Sequence, residues 1–204
     1  METEEAAILA DRERVLGLEA GRYYHHLWRQ LVLMHDTLRE LRVLSEIRTG
    51  ELNVAAPLRK RFFRMVWGAY GRDLMHGISA IADPSKAKGF NNVSLEGLMA
   101  MLGRHGVVSC EYKQALVVFK DAAAPVEAYR NKRLAHFDAE FILNGTATEV
   151  NATLDQIEAC LIRAGEVMNV VEREYFHNSS VIYMDPWVPP GGIATLINML
   201  PKGA

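Results

Sequence analysis

Apolar residues recur along most of this chain at the three- and four-residue steps of a helix, and no stretch shows the two-residue alternation of a half-buried strand. Leu27, Leu31, Met34, Leu38 and Leu41 mark one face of a long helix from about Arg22 to Arg48, which Thr49-Gly50 ends. A short helix from about Glu4 to Val15 precedes it, with acidic residues at its positive end and with Gly17 and Gly21 loosening the connection. Pro57 suits the first turn of a third helix. There Phe62, Val66, Tyr70, Leu74 and Ile78 recur every four residues, and Phe63 and Trp67 widen the stripe. Asp83-Pro84-Ser85 stops it, and the polar run to Asn92 reads as a loop. Ser94 caps a short helix through Leu95, Leu98, Met99 and Leu102, closed by Gly103 and Gly106.

Ser109 is the N-cap of the fourth long helix, whose inner face is Tyr112, Leu116, Phe119 and Ala123. Pro125 lacks an N–H, so it is expected to kink or restart that helix. Asn144-Gly145 is a turn signal, and Thr146-Ala147-Thr148-Glu149 fits a capping box. Val150, Leu154, Ile157, Leu161, Ala164, Met168, Val171 and Tyr175 then step by four and three, the pattern of a helix buried along a seam. From His177 the periodicity dissolves; Trp187 is a candidate anchor and Ile193 to Leu200 a last short helix. The expected architecture is an all-α bundle of four to five main helices with short extra helices. Residues 1–176 form one domain, and residues 177–204 form a tail that packs back on it.

With 204 residues, half of them hydrophobic, the chain can bury a substantial core. Its net charge of −2 lacks the basic excess of many nucleic-acid binders, so contact with a polyanion must come from local patches. Arg59, Lys60, Arg61 and Arg64 form the densest one: a solvated first turn, or a phosphate-contacting surface. Cys110 and Cys160 have no C-x-x-C spacing and read as buried free thiols. His25 and His26 point about 100° apart on a helix and cannot share a ligand, so both read as surface or boundary residues. There is no metal-ligand spacing, no Gly-rich phosphate loop before a Lys and no nucleophile elbow; no metal and no cofactor are expected. Glu2, Glu4 and Glu5 do not suit a signal peptide, and no apolar run approaches a membrane span, so no membrane association is expected and the expected compartment is the cytoplasm.

The chemistry concentrates in Tyr129-Arg130-Asn131-Lys132-Arg133-Leu134-Ala135-His136-Phe137-Asp138. A guanidinium offers a planar fork to phosphate, and an imidazole exchanges protons near neutral pH. On one unbroken helix Arg130 and His136 stand about 120° apart, whereas Arg133 and His136 share a face. Two copies meeting on a two-fold axis would let each supply what the other lacks.

Arg130, five residues and His136 resemble the R-x(4–6)-H motif of HEPN domains, and Arg130 to Asp138 is similar to the fuller form in the AbiU-type branch, linked to abortive infection by phage. Leu52-Asn53-Val54-Ala55-Ala56-Pro57, Phe62-Phe63, Ile81-Ala82-Asp83-Pro84-Ser85 and Asn92-Val93-Ser94-Leu95 resemble that branch in the same order, from about Tyr24 to Phe176. The resemblance implies a HEPN-like bundle and a metal-independent endoribonuclease of an abortive-infection or toxin–antitoxin system. In that reading His136 is acid/base and Arg130 holds the phosphate. Asn131, Lys132, Arg133, Tyr129 and Asp138 form the flanking RNA-binding set. The resemblance also implies a homodimer through the motif face, and a defence nuclease of this kind implies a restraining antitoxin-like partner.

Two other readings stay open. One is a non-catalytic nucleotide- or RNA-binding module acting through a dimer or partner. The other is structural, with Arg130 and Arg133 paired to Asp138, Glu140 or Glu127, and His136 a dimer-interface residue.

Overall fold

The computed structural model describes residues 2–49, 57–87, 90–104, 106, 108–131, 152–178, 192, 193 and 195. Six α-helices lie among them: α1 (Glu2–Leu16), α2 (Leu18–Thr49), α3 (Pro57–Ala82), α4 (Leu95–Leu102), α5 (Cys110–Tyr129) and α6 (Leu154–Val171). A two-residue antiparallel pair, Lys86–Ala87 with Phe90–Asn91, interrupts the stretch expected to be loop. α2 is the spine: it packs against α1, α3, α4 and α6, and α5 packs chiefly on α6.

Each main stripe supplies core, with one exception. Leu27, Leu31, Met34, Leu38 and Leu41 are buried, as are Tyr112, Leu116, Phe119 and Ala123 on α5 and Ile157, Leu161, Ala164, Met168 and Val171 on α6. On α3 the expected stripe holds only in its second half. Leu74 and Ile78 are buried, but Phe62 and Tyr70 are exposed, and Phe63 takes the inner position. A strict four-residue row drifts by about 40° per step on a helix of 3.6 residues per turn, so a row that faces the core at Ile78 has rotated outward by Phe62.

Caps follow side-chain chemistry. Ser94 Oγ accepts from the Gly97 N–H, and Ser109 Oγ from the Tyr112 N–H. The box opening α6 is Thr153 with Gln156, each side chain bonding the other's backbone N–H. Val150 and the Thr146–Glu149 box lie outside the described residues. Gly17, at φ +83°, makes the whole turn between α1 and α2; Gly21 lies inside α2, so it is not part of a linker. α5 runs through Pro125 with no restart. Pro125 is on the exposed side, where water can meet the carbonyl that its missing N–H leaves unbonded.

α1 is held by a buried cation. The Arg12 guanidinium lies 4.3 Å from the Trp28 ring centroid and 5.3 Å from that of Tyr24. It also donates to His25 Nδ1 at 2.6 Å. His25 is therefore a core histidine and not a boundary one, whereas His26 is exposed. Arg cannot accept, so His25 Nδ1 must, which puts the proton of the neutral ring on Nε2, 3.6 Å from Glu5. α6 ends in a wider π-type turn, Glu172–Phe176, where buried Glu172 accepts from the Tyr24 hydroxyl and from Asn178 Nδ2. Cys160 is buried, and burial pushes its thiol up to about 12, too high to act as a nucleophile. Cys110, expected to be buried, is exposed at the first position of α5. Of the tail, the Ile193 N–H donates to Glu40 Oε2 at 2.8 Å; Trp187 lies outside the described residues.

Candidate functional site: the junction of α3 and α5

The ends of α3 and α5 meet where the chemistry of the sequence is concentrated. α5 passes at Arg130 and Asn131 into a π-type turn. Tyr129 is half-buried against the core, Arg130 is half-buried, and Asn131 is exposed. Lys132, Arg133, His136 and Asp138 lie outside the described residues. Tyr129, Arg130 and Asn131 therefore represent the expected site here.

Arg130 Nη2 stands 3.7 Å from Asp83 Oδ1. That is an ion pair without a close hydrogen bond. Arg130 Nε is buried and has no hydrogen-bond partner among the described residues. The guanidinium is thus held by charge with donors to spare. Of the pairings in the structural reading, only Arg130 with Glu127 lies within the described residues; there Glu127 is a neighbouring charge and not an ion-pair partner, and Asp83 takes its place.

Asp83 is placed by what surrounds it. Its N–H continues the α3 ladder to the Ser79 carbonyl at 3.0 Å. Two residues on, Ser85 donates through its N–H (3.3 Å) and its hydroxyl (3.4 Å) to Glu96 Oε1, and Lys120 of α5 pairs with the other carboxylate oxygen. The Lys120 bond chiefly, with help from Ser85, holds the Glu96 carboxyl below its ordinary range. Glu127 behaves oppositely. Burial raises its carboxyl above the ordinary range, the negative Asp83 adds to the rise, and Arg130 and Lys120 offset part of it.

Asp83 also lines a cleft of about 360 Å³ between α2, α3 and the segment before α4. Its wall includes His26, Gln30 and Asn92 over Leu27 and Ile81. Tyr23 holds the Asn92 side of this cleft: its hydroxyl donates to the Asn92 carbonyl at 2.6 Å and accepts from the Ser94 N–H at 2.8 Å. A Cβ at position 97 would overlap that hydroxyl, so glycine is needed there.

The basic cluster is elsewhere. Arg61 and Arg64 are exposed near the start of α3, and Asp83 follows its end, so Arg64 lies roughly 28 Å from Asp83 along the helix axis. The cluster therefore stands about the length of α3 from Arg130, which pairs with Asp83. Asp83, Gln30 and His26 carry no local signal of a site, because only the packing of α2 and α5 on α3 brings them together. No group of His, Cys, Asp and Glu among the described residues is arranged to hold a metal ion, and no helix among them is long and apolar enough to cross a membrane.

A family model, AbiU2 of the HEPN proteins, matches residues 17–186. It spans α2 to α6 and includes the whole α3–α5 junction. No curated protein and no solved structure matches the chain.

Proposed function

The chain belongs to the AbiU2 family of HEPN proteins and is an abortive-infection-related HEPN module, and from that premise we propose that it is a metal-independent endoribonuclease. The observation that carries the reading is the state of Arg130. It sits at a helix end with a buried Nε that no described group bonds, and its ion-pair partner among the described residues, Asp83, is at 3.7 Å. A phosphodiester oxygen would give this guanidinium the close, charge-assisted partner that Asp83 does not.

In this mechanism His136 takes the proton of a ribose 2′-hydroxyl as that oxygen attacks phosphorus. The bond from phosphorus to the 5′-oxygen breaks, and the leaving oxygen takes up a proton from an imidazolium. Arg130 stabilises the charge that develops on the phosphoryl oxygens. The products are a 2′,3′-cyclic phosphate and a 5′-hydroxyl. Asn131, Lys132, Arg133 and Tyr129 hold the strand, and Asp138 orients the cations. The working unit is a homodimer through the motif face; Val117 and Val118 leave apolar surface exposed on the helix that carries Arg130. In a healthy cell a nuclease of this kind needs restraint, which a cognate antitoxin-like protein would supply.

The test is RNA cleavage by the purified protein in EDTA, beside His136→Ala and a DNA of the same sequence. Cutting of RNA alone, lost in the variant, is the expected result; equal cutting by both proteins would overturn the role of His136. One observation favours a second reading, RNA binding without cleavage. Asp83 and Glu127 both stand near Arg130, and two carboxylates oppose a polyanion. Binding without cleavage by the dimeric protein would move the assignment there.

A further inference from the structure

We propose that the cleft beside Arg130 is a nucleobase pocket, which receives one unstacked base of a single-stranded RNA whose phosphate lies on Arg130. This rests on the RNA reading above and names the place where the strand is read. Asp83 carries the geometry: it lines the cleft and pairs with Arg130 at 3.7 Å. A phosphate on the guanidinium therefore stands about one side chain from the cleft, the reach from a backbone phosphate to its own base.

The cleft suits a base in size and chemistry. At about 360 Å³ it lies at the small end of the roughly 300–1,000 Å³ typical of small-molecule sites. Leu27 and Ile81 give it a buried apolar floor on which a planar ring gains contact. His26 and Gln30, one helical turn apart on α2, stand on the same wall. Neither side chain has a hydrogen bond within the described residues. An imidazole can stack on a base, and a carboxamide offers both a donor and an acceptor to its edge. The Asn92 side chain donates to the Pro84 carbonyl at 3.0 Å, and Tyr23 ties its backbone, so this wall is formed before any ligand arrives. A second cleft, between Phe62, Tyr70 and Ile193, has one carboxylate, Glu40, already bonded to the Ile193 N–H, and it lies by the far half of α3.

The experiment measures binding of the full chain to a short labelled 2′-O-methyl RNA, which cannot be cut through its 2′-oxygen, and to an abasic strand of the same length. The base-bearing strand is expected to bind roughly tenfold more tightly, the size of one stacked base. Ala80→Phe, on the exposed rim of the cleft, fills it and should bring the base-bearing strand down to the affinity of the abasic one. Gln30→Ala should weaken the same preference without adding bulk, and an unchanged melting temperature in each variant shows that the bundle is intact. Arg130→Ala should weaken both strands.

Equal binding of both strands by the natural protein, with both weakened in Arg130→Ala, would overturn the pocket and leave the RNA reading standing. A base preference that survives both Ala80→Phe and Gln30→Ala would also overturn it. Failure of both strands to bind would remove the pocket and the RNA reading together. A nucleoside 5′-monophosphate that bound more tightly than the strand would overturn the strand as the source of the base.

Discussion

Arg130 at the end of α5 and Asp83 just past the end of α3 face each other across 3.7 Å, and this pair joins the motif helix to the wall of the neighbouring cleft. Both side chains remain partly open to water, so the pair contributes little to stability, about 0–1 kcal/mol. Arg130→Ala is therefore expected to leave the melting temperature nearly unchanged while RNA cleavage falls by about 10²- to 10³-fold, the usual effect of removing a donor to a developing negative charge. Arg130→Lys should recover only a small part, because an ammonium lacks the planar fork. Parallel melting and cleavage assays check both, and a melting temperature that fell with activity would make Arg130 a structural residue.

Tyr23 holds the segment that carries Asn92. Tyr23→Phe removes the acceptor of the Ser94 N–H, whose residue is buried. The expected loss is about 1–3 kcal/mol in urea denaturation. Gly97→Ala should also destabilise the protein, because its methyl group would collide with the same hydroxyl.

Phe119 is fully buried on α5, the helix that presents Arg130. Phe119→Ala should cost about 3–5 kcal/mol of stability. Calorimetry or urea denaturation reads this directly, and a loss under 1 kcal/mol would mean that α5 is not packed as described.

The buried histidines set an acid limit. Burial first, then Arg12, lowers the affinity of His25 for a proton, and burial lowers that of His35. A depressed value in the fold means that the unfolded chain takes up protons first as pH falls. Their contribution is complete above about pH 6.5, the ordinary histidine value, and is lost as pH falls toward the depressed values. Urea midpoints measured across this window should fall in the natural protein and fall less in the His25→Gln, His35→Gln double variant. A parallel decline in both would place the acid sensitivity in the carboxylates.

Glu127 has the opposite sign. Its raised value means that the fold favours the protonated form, so stability is lost as pH rises from the ordinary glutamate value through the raised one. Glu127→Gln should stabilise the protein at neutral pH relative to the natural chain, and the difference should shrink in acid. A destabilised variant at neutral pH would show that the charged carboxylate has a bonding role.

Helix periodicity alone was enough to place the long elements, since i, i+3 and i+4 spacing is a local property of the chain. Leu27 to Leu41 and Ile157 to Val171 face inward as their spacing requires. The Ser94 and Ser109 caps were equally legible, because a cap bonds a backbone group three residues away. The family was legible from Arg130 to Asp138 and the stretches that accompany it. Tertiary structure decided what depends on neighbours distant in sequence. It turned Phe62 outward and Phe63 inward, because rotation along α3 counts only once α2 shows which side is core. It buried His25 on Arg12, a cation that nothing in its own segment marks as interior. It separated the basic start of α3 from Arg130 by the length of a helix. It set Asp83 between that arginine and a cleft, a relationship that exists only where two helix ends meet.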